Sequence, residues 1–180
     1  LNVIFLHRNP GDVAVSYFNE ISTSSRSSWC YRGSMSRFIR GIDTPDGKEI
    51  GLMPIIQFNN KWIQKRDKFA NFLELSYYML HKNPAKCIRQ ICDVVNLDVT
   101  DEQIREAVEY ASFKNMKKID YGVGTNYLAK YKGNFGKDEP GRVNLGKYNN
   151  FGSFLSPEDM KIYKLFMKES LITYEYDEEK

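Results

Sequence analysis

Asn2-Val-Ile-Phe-Leu6, continuing into His7-Arg8-Asn9-Pro10-Gly11-Asp12, decides the fold. The first run is apolar and rich in β-formers, the pattern of a central parallel strand covered on both faces. Pro10 and Gly11 then break the extended chain, and Asp12 is a residue type that caps helices. A helix is expected from Asp12 to Ser22, because Ala14, Tyr17, Phe18 and Ile21 recur at helical spacing and define one buried face. A strand feeding a helix through so short a turn is the repeating unit of a parallel α/β sheet, and the strand's exit is the edge where such sheets bind ligands. Chain ends tend to be peripheral, so a buried strand at the first residues carries the expectation of further sequence upstream of Leu1.

Working outward, residues 22–53 are rich in Ser, Arg and Gly, with Thr44-Pro-Asp-Gly47 as a turn, and are expected to form a long loop. A helix is expected over Pro54–Phe69, with Ile55, Phe58, Trp62 and Phe69 along one stripe, and a strand over Asn71–Tyr78. Pro84 opens a helix carrying Ile88, Ile91, Cys92 and Val95. Thr100 and Gln103 are spaced as a capping box ahead of Ile104, Ala107, Val108 and Ala111. From Tyr121 to Phe154 Gly, Asn, Lys and Tyr crowd together without a sustained period, which reads as a second long loop. Ser156-Pro-Glu-Asp159 then starts a final helix with Tyr163, Phe166, Met167 and Ser170 on one side, and the acidic residues 175–180 read as a solvated tail.

Composition narrows the function classes. The 180 residues, 42% hydrophobic with a net charge of +3, fit one globular domain and exclude both a disordered chain and a nucleic-acid clamp driven by charge alone. No stretch approaches the roughly 18 apolar residues of a membrane span. Cys30, Cys87 and Cys92 suggest no disulfide framework and, together with the absence of an Asn-x-Ser/Thr acceptor, point to a reducing, cytoplasmic setting. His7 and His81 are the only histidines, so the ligand sets of zinc are missing and no metal is expected.

Arg8 stands where the strand ends and the helix begins, a position at which a guanidinium and helix amides face an anion together. Ser16, four residues after Asp12, places a hydroxyl toward the same crevice. Both form a plausible phosphate seat. The same residues equally allow Arg8 to pair with Asp12 or Glu20, leaving Ser16 as a small helix-face residue. His7, beside Arg8, reads as a packed, hydrogen-bonded residue rather than a base, and His81 as a surface residue. Gly122-Val-Gly124 lacks the third glycine of a dinucleotide loop. The lysines at 130, 132, 137 and 147, interleaved with tyrosines, are explained as well by closure over an anionic nucleotide as by single-stranded nucleic acid, so no nucleic-acid partner is expected.

The run Val3–Phe18, VIFLHRNPGDVAVSYF, resembles the cytosolic and bacterial sulfotransferase family, in which a strand ends in Arg-Asn-Pro-x-Asp and a Ser follows at the spacing of Arg8 and Ser16. Later segments agree in order. Asn71–Pro84 is similar to the family's Tyr-Glu-Asp strand, with Leu73 in place of Tyr and Leu75 in place of Asp. Ala111-Ser112-Phe113-x-x-Met116 is similar to Thr-Ser-Phe-x-x-Met, and Gly141–Tyr163 to the C-terminal signature, one residue short and with Asn144 where Gly is usual. The resemblance implies a three-layer α/β domain with a central parallel sheet, of P-loop nucleotide-kinase-like architecture, covering residues 1–180.

It also implies transfer of a sulfonate group from 3′-phosphoadenylyl sulfate (PAPS), leaving adenosine 3′,5′-bisphosphate (PAP), to a hydroxyl or amine of a small-molecule or glycan acceptor. The donor-site residues so implied are Arg8, Ser16, Ser112, Phe113, Arg142, Val143 and Asn144, with Arg8, Ser16 and Arg142 on the 3′-phosphate and Phe113 beside the adenine. The Lys-x-Gly-Thr-Thr-like loop and the catalytic base of the family are expected upstream of Leu1. The residues leave two other readings open: a noncatalytic 3′-phosphonucleotide-binding module and a P-loop-like small-molecule kinase. Acceptor identity and oligomeric state are not legible.

Overall fold

The computed structural model describes residues 1–23, 30–120 and 150–174. The chain divides into two compact units, 1–82 with 148–180 and 83–147.

In the first unit, β1 (Asn2–His7) runs into α1 (Pro10–Thr23), followed by α2 (Met35–Arg40), β2 (Ile42–Asp43), β3 (Glu49–Ile50), α3 (Leu52–Gln64), β4 (Asn71–Ser76) and α4 (Tyr77–Lys82). Strands β1 and β4 pair in parallel with Asn2 opposite Asn71 and His7 opposite Ser76, so the helices between them form the crossover that parallel pairing requires. Val3, Phe5 and Phe72 lie on one face and pack with Trp62 and Ile63 of α3 and with Ile172 and Tyr174 near the chain's C-terminal end. The opposite face is less covered within these residues. Ile4 and Leu6 are 41% and 49% exposed, although Leu75 beside them is buried. The alternation of the pleat thus survives in burial even where the sequence is continuously apolar.

The main core lies among the helices. Phe38, Ile39, Leu52 and Ile56 are essentially inaccessible, and Ala14, Phe151 and Tyr163 join them. Each such side chain contributes about 1.5–3 kcal/mol by leaving water. The long loop expected over 22–53 is corrected here, since it contains α2 and the β2–β3 ribbon around the turn at Thr44–Gly47. Ser34 caps α2, its hydroxyl accepting from the Arg37 N–H. Gly51 closes this corner with φ 144°, where a Cβ would stand 2.6 Å from the Phe38 carbonyl oxygen. On α3 the buried residues are Leu52, Ile56 and Asn59, one position displaced from the expected stripe, and Phe58 faces solvent. On α1, Tyr17 is more exposed than the expected face allowed, and Val15 is buried instead.

After a 3-10 turn at Phe151–Ser153, α8 (Pro157–Phe166) starts as the sequence predicts, with the Ser156 hydroxyl accepting from the Asp159 N–H. It ends in a 3-10 turn, Met167–Glu169. Gly11 lies against the first of these turns. A methyl group on it would stand 2.6 Å from the Phe151 ring, so only glycine allows this approach.

The second unit contains α5 (Pro84–Val95), α6 (Asp101–Tyr110) and α7 (Phe113–Asp120). Asn83 caps α5 through Lys86 N–H, and Thr100 and Gln103 form the expected reciprocal capping box at 3.2 and 2.9 Å. Cys87, Cys92 and Ile104 are buried, and all three cysteines of the chain are free thiols. Among the described residues no helix is long and apolar enough to cross a membrane, and no group of His, Cys, Asp and Glu is arranged to hold a metal ion.

Candidate functional site

The exit of β1 is built by side chains that satisfy the start of α1. Asn9 Oδ1 accepts from the Gly11 N–H at 2.8 Å and from the Tyr163 hydroxyl at 3.1 Å, while its carbonyl accepts from Val13 N–H. Asp12, 3% exposed, accepts through Oδ1 from the backbone N–H groups of Asn150 and Phe151 at 3.0 and 3.1 Å. Its Oδ2 faces the Arg8 guanidinium at 3.4 Å. One carboxylate therefore ties the strand exit to a segment far along the chain and orients the arginine. The Arg8 guanidinium also lies over the Tyr77 ring, 4.7 Å from its centroid, in cation–π geometry.

β4 contributes the other wall. His7 Nε2 lies 3.1 Å from Glu74 Oε1, and the His7 ring meets Tyr174 edge-on at 5.5 Å between centroids. Burial pushes the His7 imidazole below its ordinary value, against which the Glu74 carboxylate works. His81, on the exposed side of α4, is also lowered, by burial and then by the charge of Arg8. Tyr174 is carried to the site by two neighbouring asparagines of α3. Asn59 Nδ2 donates to the Tyr174 hydroxyl at 2.8 Å, and Asn60 bonds the Glu169 carbonyl and the Leu171 N–H. These residues enclose a cleft of about 340 Å³ whose wall includes His7, Arg8, Asn9, Asp12, Glu74, Tyr77 and Tyr174. That volume is within the range of small-molecule sites. Within its wall, His7 Nδ1 and Asn9 Nδ2 are buried with no hydrogen-bond partner.

The site residues expected from sequence fare unequally. Arg8 is on the cleft, 26% exposed, and the pairing with Asp12 that the sequence left open is present. Ser16 is exposed on the second turn of α1 and is not part of the cleft wall. Ser112 and Phe113 belong to the second unit, where the Ser112 hydroxyl accepts from Asn115 N–H at the head of α7 and Phe113 is 38% exposed. Arg142, Val143 and Asn144 lie outside the described residues, as do Trp29, the Gly122–Gly124 motif and the lysines between 130 and 147. His7 is the packed, hydrogen-bonded residue that the sequence predicts. Sequence reasoning missed Tyr77, Glu74 and Tyr174, whose placement follows from β1–β4 register and from the two asparagines, neither of which has a local signal.

A family model of the sulfotransferase domain matches residues 1–172 of this chain. The chain belongs to the sulfotransferase family. Among curated relatives, this sulfotransferase chain is 25% identical over 155 residues to the amine sulfotransferase of Oryctolagus cuniculus, an alignment covering 85% of this chain and 44% of the relative. It is 30% identical over 118 residues to the 3-beta-hydroxysteroid sulfotransferase of Cavia porcellus, covering 64% of this chain and 38% of the relative. The chain thus spans less than half the length of these relatives.

Solved structures give the fold. A retinol dehydratase in complex with androsterone and inactive cofactor PAP superimposes with a TM-score of 0.68 at 22% identity, covering 96% of this chain and 49% of that one. The mouse sulfotransferase SULT7A1 complexed with PAP gives a TM-score of 0.69 at 18% identity, covering 94% and 58%. The α/β class with a parallel sheet, expected from the opening run of sequence, is the fold of this sulfotransferase chain.

Proposed function

We propose that this chain carries the 3′-phosphate side of the donor site of a PAPS-dependent sulfotransferase, which passes a sulfonate group to a hydroxyl or amine of a small-molecule or glycan acceptor. The 5′-phosphosulfate grip and the proton acceptor are assigned, by the same resemblance, to sequence outside residues 1–180. The observation that carries the reading is the Arg8 guanidinium on the cleft wall, 3.4 Å from the Asp12 carboxylate and over the Tyr77 ring. The residues fit a phosphate. A planar cation stands at the head of α1, next to a buried Asn9 Nδ2 that has no hydrogen-bond partner.

When bound, PAPS supplies the activated sulfonate. Arg8 binds and orients its 3′-phosphate, and Asp12 and Tyr77 hold Arg8 in place. Each charge-assisted bond contributes about 1.5–3 kcal/mol, enough to separate a 3′-phosphorylated nucleotide from its unphosphorylated relative by orders of magnitude. The resemblance alone assigns Ser16, Ser112, Phe113, Arg142, Val143 and Asn144 to the donor site as well.

Calorimetry with PAP tests the reading. Binding is expected, and Arg8→Ala is expected to weaken it about tenfold or more while the thermal transition stays cooperative. Equal affinity of the variant overturns the assignment of Arg8. Preference for ATP over PAP replaces the sulfotransferase reading with the kinase alternative.

A further inference from the structure

We propose that His7 is a proton-coupled second anchor of the cleft: neutral without ligand, it takes up a proton when a phosphate dianion is seated beside Arg8 and offers Nδ1–H to an anionic oxygen. The inference rests on the phosphate reading of this cleft and adds a residue that motif reasoning does not supply.

The argument begins with the tautomer. Glu74 Oε1, 3.1 Å from Nε2, is an acceptor, so the proton of a neutral His7 ring resides on Nε2 and Nδ1 carries a bare lone pair. That Nδ1 is closed off from solvent and has no hydrogen-bond partner, although the ring forms part of the cleft wall. A lone pair repels a phosphate oxygen. Protonation turns the repulsion into a charge-assisted donor while Glu74 continues to hold Nε2–H.

The surroundings explain why the proton waits for the ligand. Glu74 from β4 and Tyr174 from the C-terminal segment contact His7, and Arg8 and Asp12 at the head of α1 and Tyr77 from the start of α4 share the cleft wall with it. Burial opposes the imidazolium and Glu74 favours it, while Asp12 is already shared between Arg8 and two backbone N–H groups. Adding a dianion reverses the balance, because an opposite charge a few ångströms away in a low-dielectric site favours the charged ring. The proton comes from solvent, and no bond of the ligand is broken. Because Nδ1 is closed off before binding, the contact requires a local rearrangement as the ligand seats.

Nuclear magnetic resonance on protein labelled with nitrogen-15 in histidine decides the matter, since His7 and His81 are the only histidines and His81→Gln assigns them. Near pH 7, His7 is expected to show one protonated and one bare ring nitrogen without ligand, and the imidazolium pattern when saturated with PAP. In parallel, His7→Gln should weaken PAP several-fold at about pH 6.5, with the gap closing by about pH 8. If PAP binds and His7 stays neutral, the proposal is overturned while the phosphate reading stands. If PAP does not bind at all, both fall. The wild-type spectra decide even where His7→Gln fails to fold.

Discussion

Two aspartate–arginine pairs in the first unit have the same ingredients and opposite characters. Asp159, at the head of α8, accepts from the Ser36 hydroxyl at 2.7 Å and from Arg40 at 2.5 Å, and Arg40 also bonds Ser36. Burial pushes the Asp159 carboxyl up, but Ser36, Arg40 and the Ser156 cap outweigh it and hold it below its usual range. That cluster is closed, with every partner in hand. Asp12, at the head of α1, uses one oxygen on two backbone N–H groups and faces Arg8 at 3.4 Å with the other. Around it, His7 Nδ1 and Asn9 Nδ2 are left without partners. The difference teaches that one aspartate–arginine pair closes a junction between helices, whereas the other borders a cleft in whose wall two buried side-chain nitrogens lack hydrogen-bond partners.

The comparison can be broken by substitution. The largest effect is expected from Asp12→Ala, which removes the acceptor of a buried and a part-buried N–H and the carboxylate facing Arg8, and should cost about 3 kcal/mol of stability and weaken PAP as well. Asp159→Ala should cost about 2 kcal/mol, discounted because Arg40 is 40% exposed, and leave PAP affinity unchanged. Urea unfolding and calorimetry on the same samples measure both. Should Asp159→Ala impair binding as much as Asp12→Ala does, the two clusters are not distinct in kind.

The smallest effect concerns acid. His7 in the folded protein titrates below the 6.5 of an unperturbed ring, so in the window just below that pH the unfolded chain binds more protons. Stability therefore falls as pH drops through that window and is regained as pH rises above it. His81 adds a contribution of the same sign. His7→Gln should flatten this slope by about 1 kcal/mol or less, read from urea midpoints at about pH 5 and pH 7. An unchanged slope would mean that the His7 ring is not held neutral by its surroundings.

What the sequence disclosed was local. The strand exit, the capping box at Thr100 and Gln103, and the Ser156 cap are specified within a few residues, and the structure has them all. The six-residue helix α2 was hidden because it is too short to display a period, although Phe38 within it is completely buried. β4 was expected to continue to Tyr78, since Tyr77 and Tyr78 are strand formers. The Ser76 hydroxyl instead accepts from Met79 N–H and turns the chain into α4, which is what brings Tyr77 beneath Arg8. The His7–Glu74 bond depends on the pairing of strands 69 positions apart, and no pattern within either strand announces it.

The intimate contact between Gly11 and Phe151 gives this molecule an unusual lever. The aromatic ring and the amides clasped by Asp12 belong to one short turn, so a single added carbon at position 11 would push that turn outward and slacken the clasp without altering any residue that meets the ligand. A graded series at this one position would act as a tension screw on the guanidinium, tuning from behind the cleft how firmly the proposed phosphate is gripped.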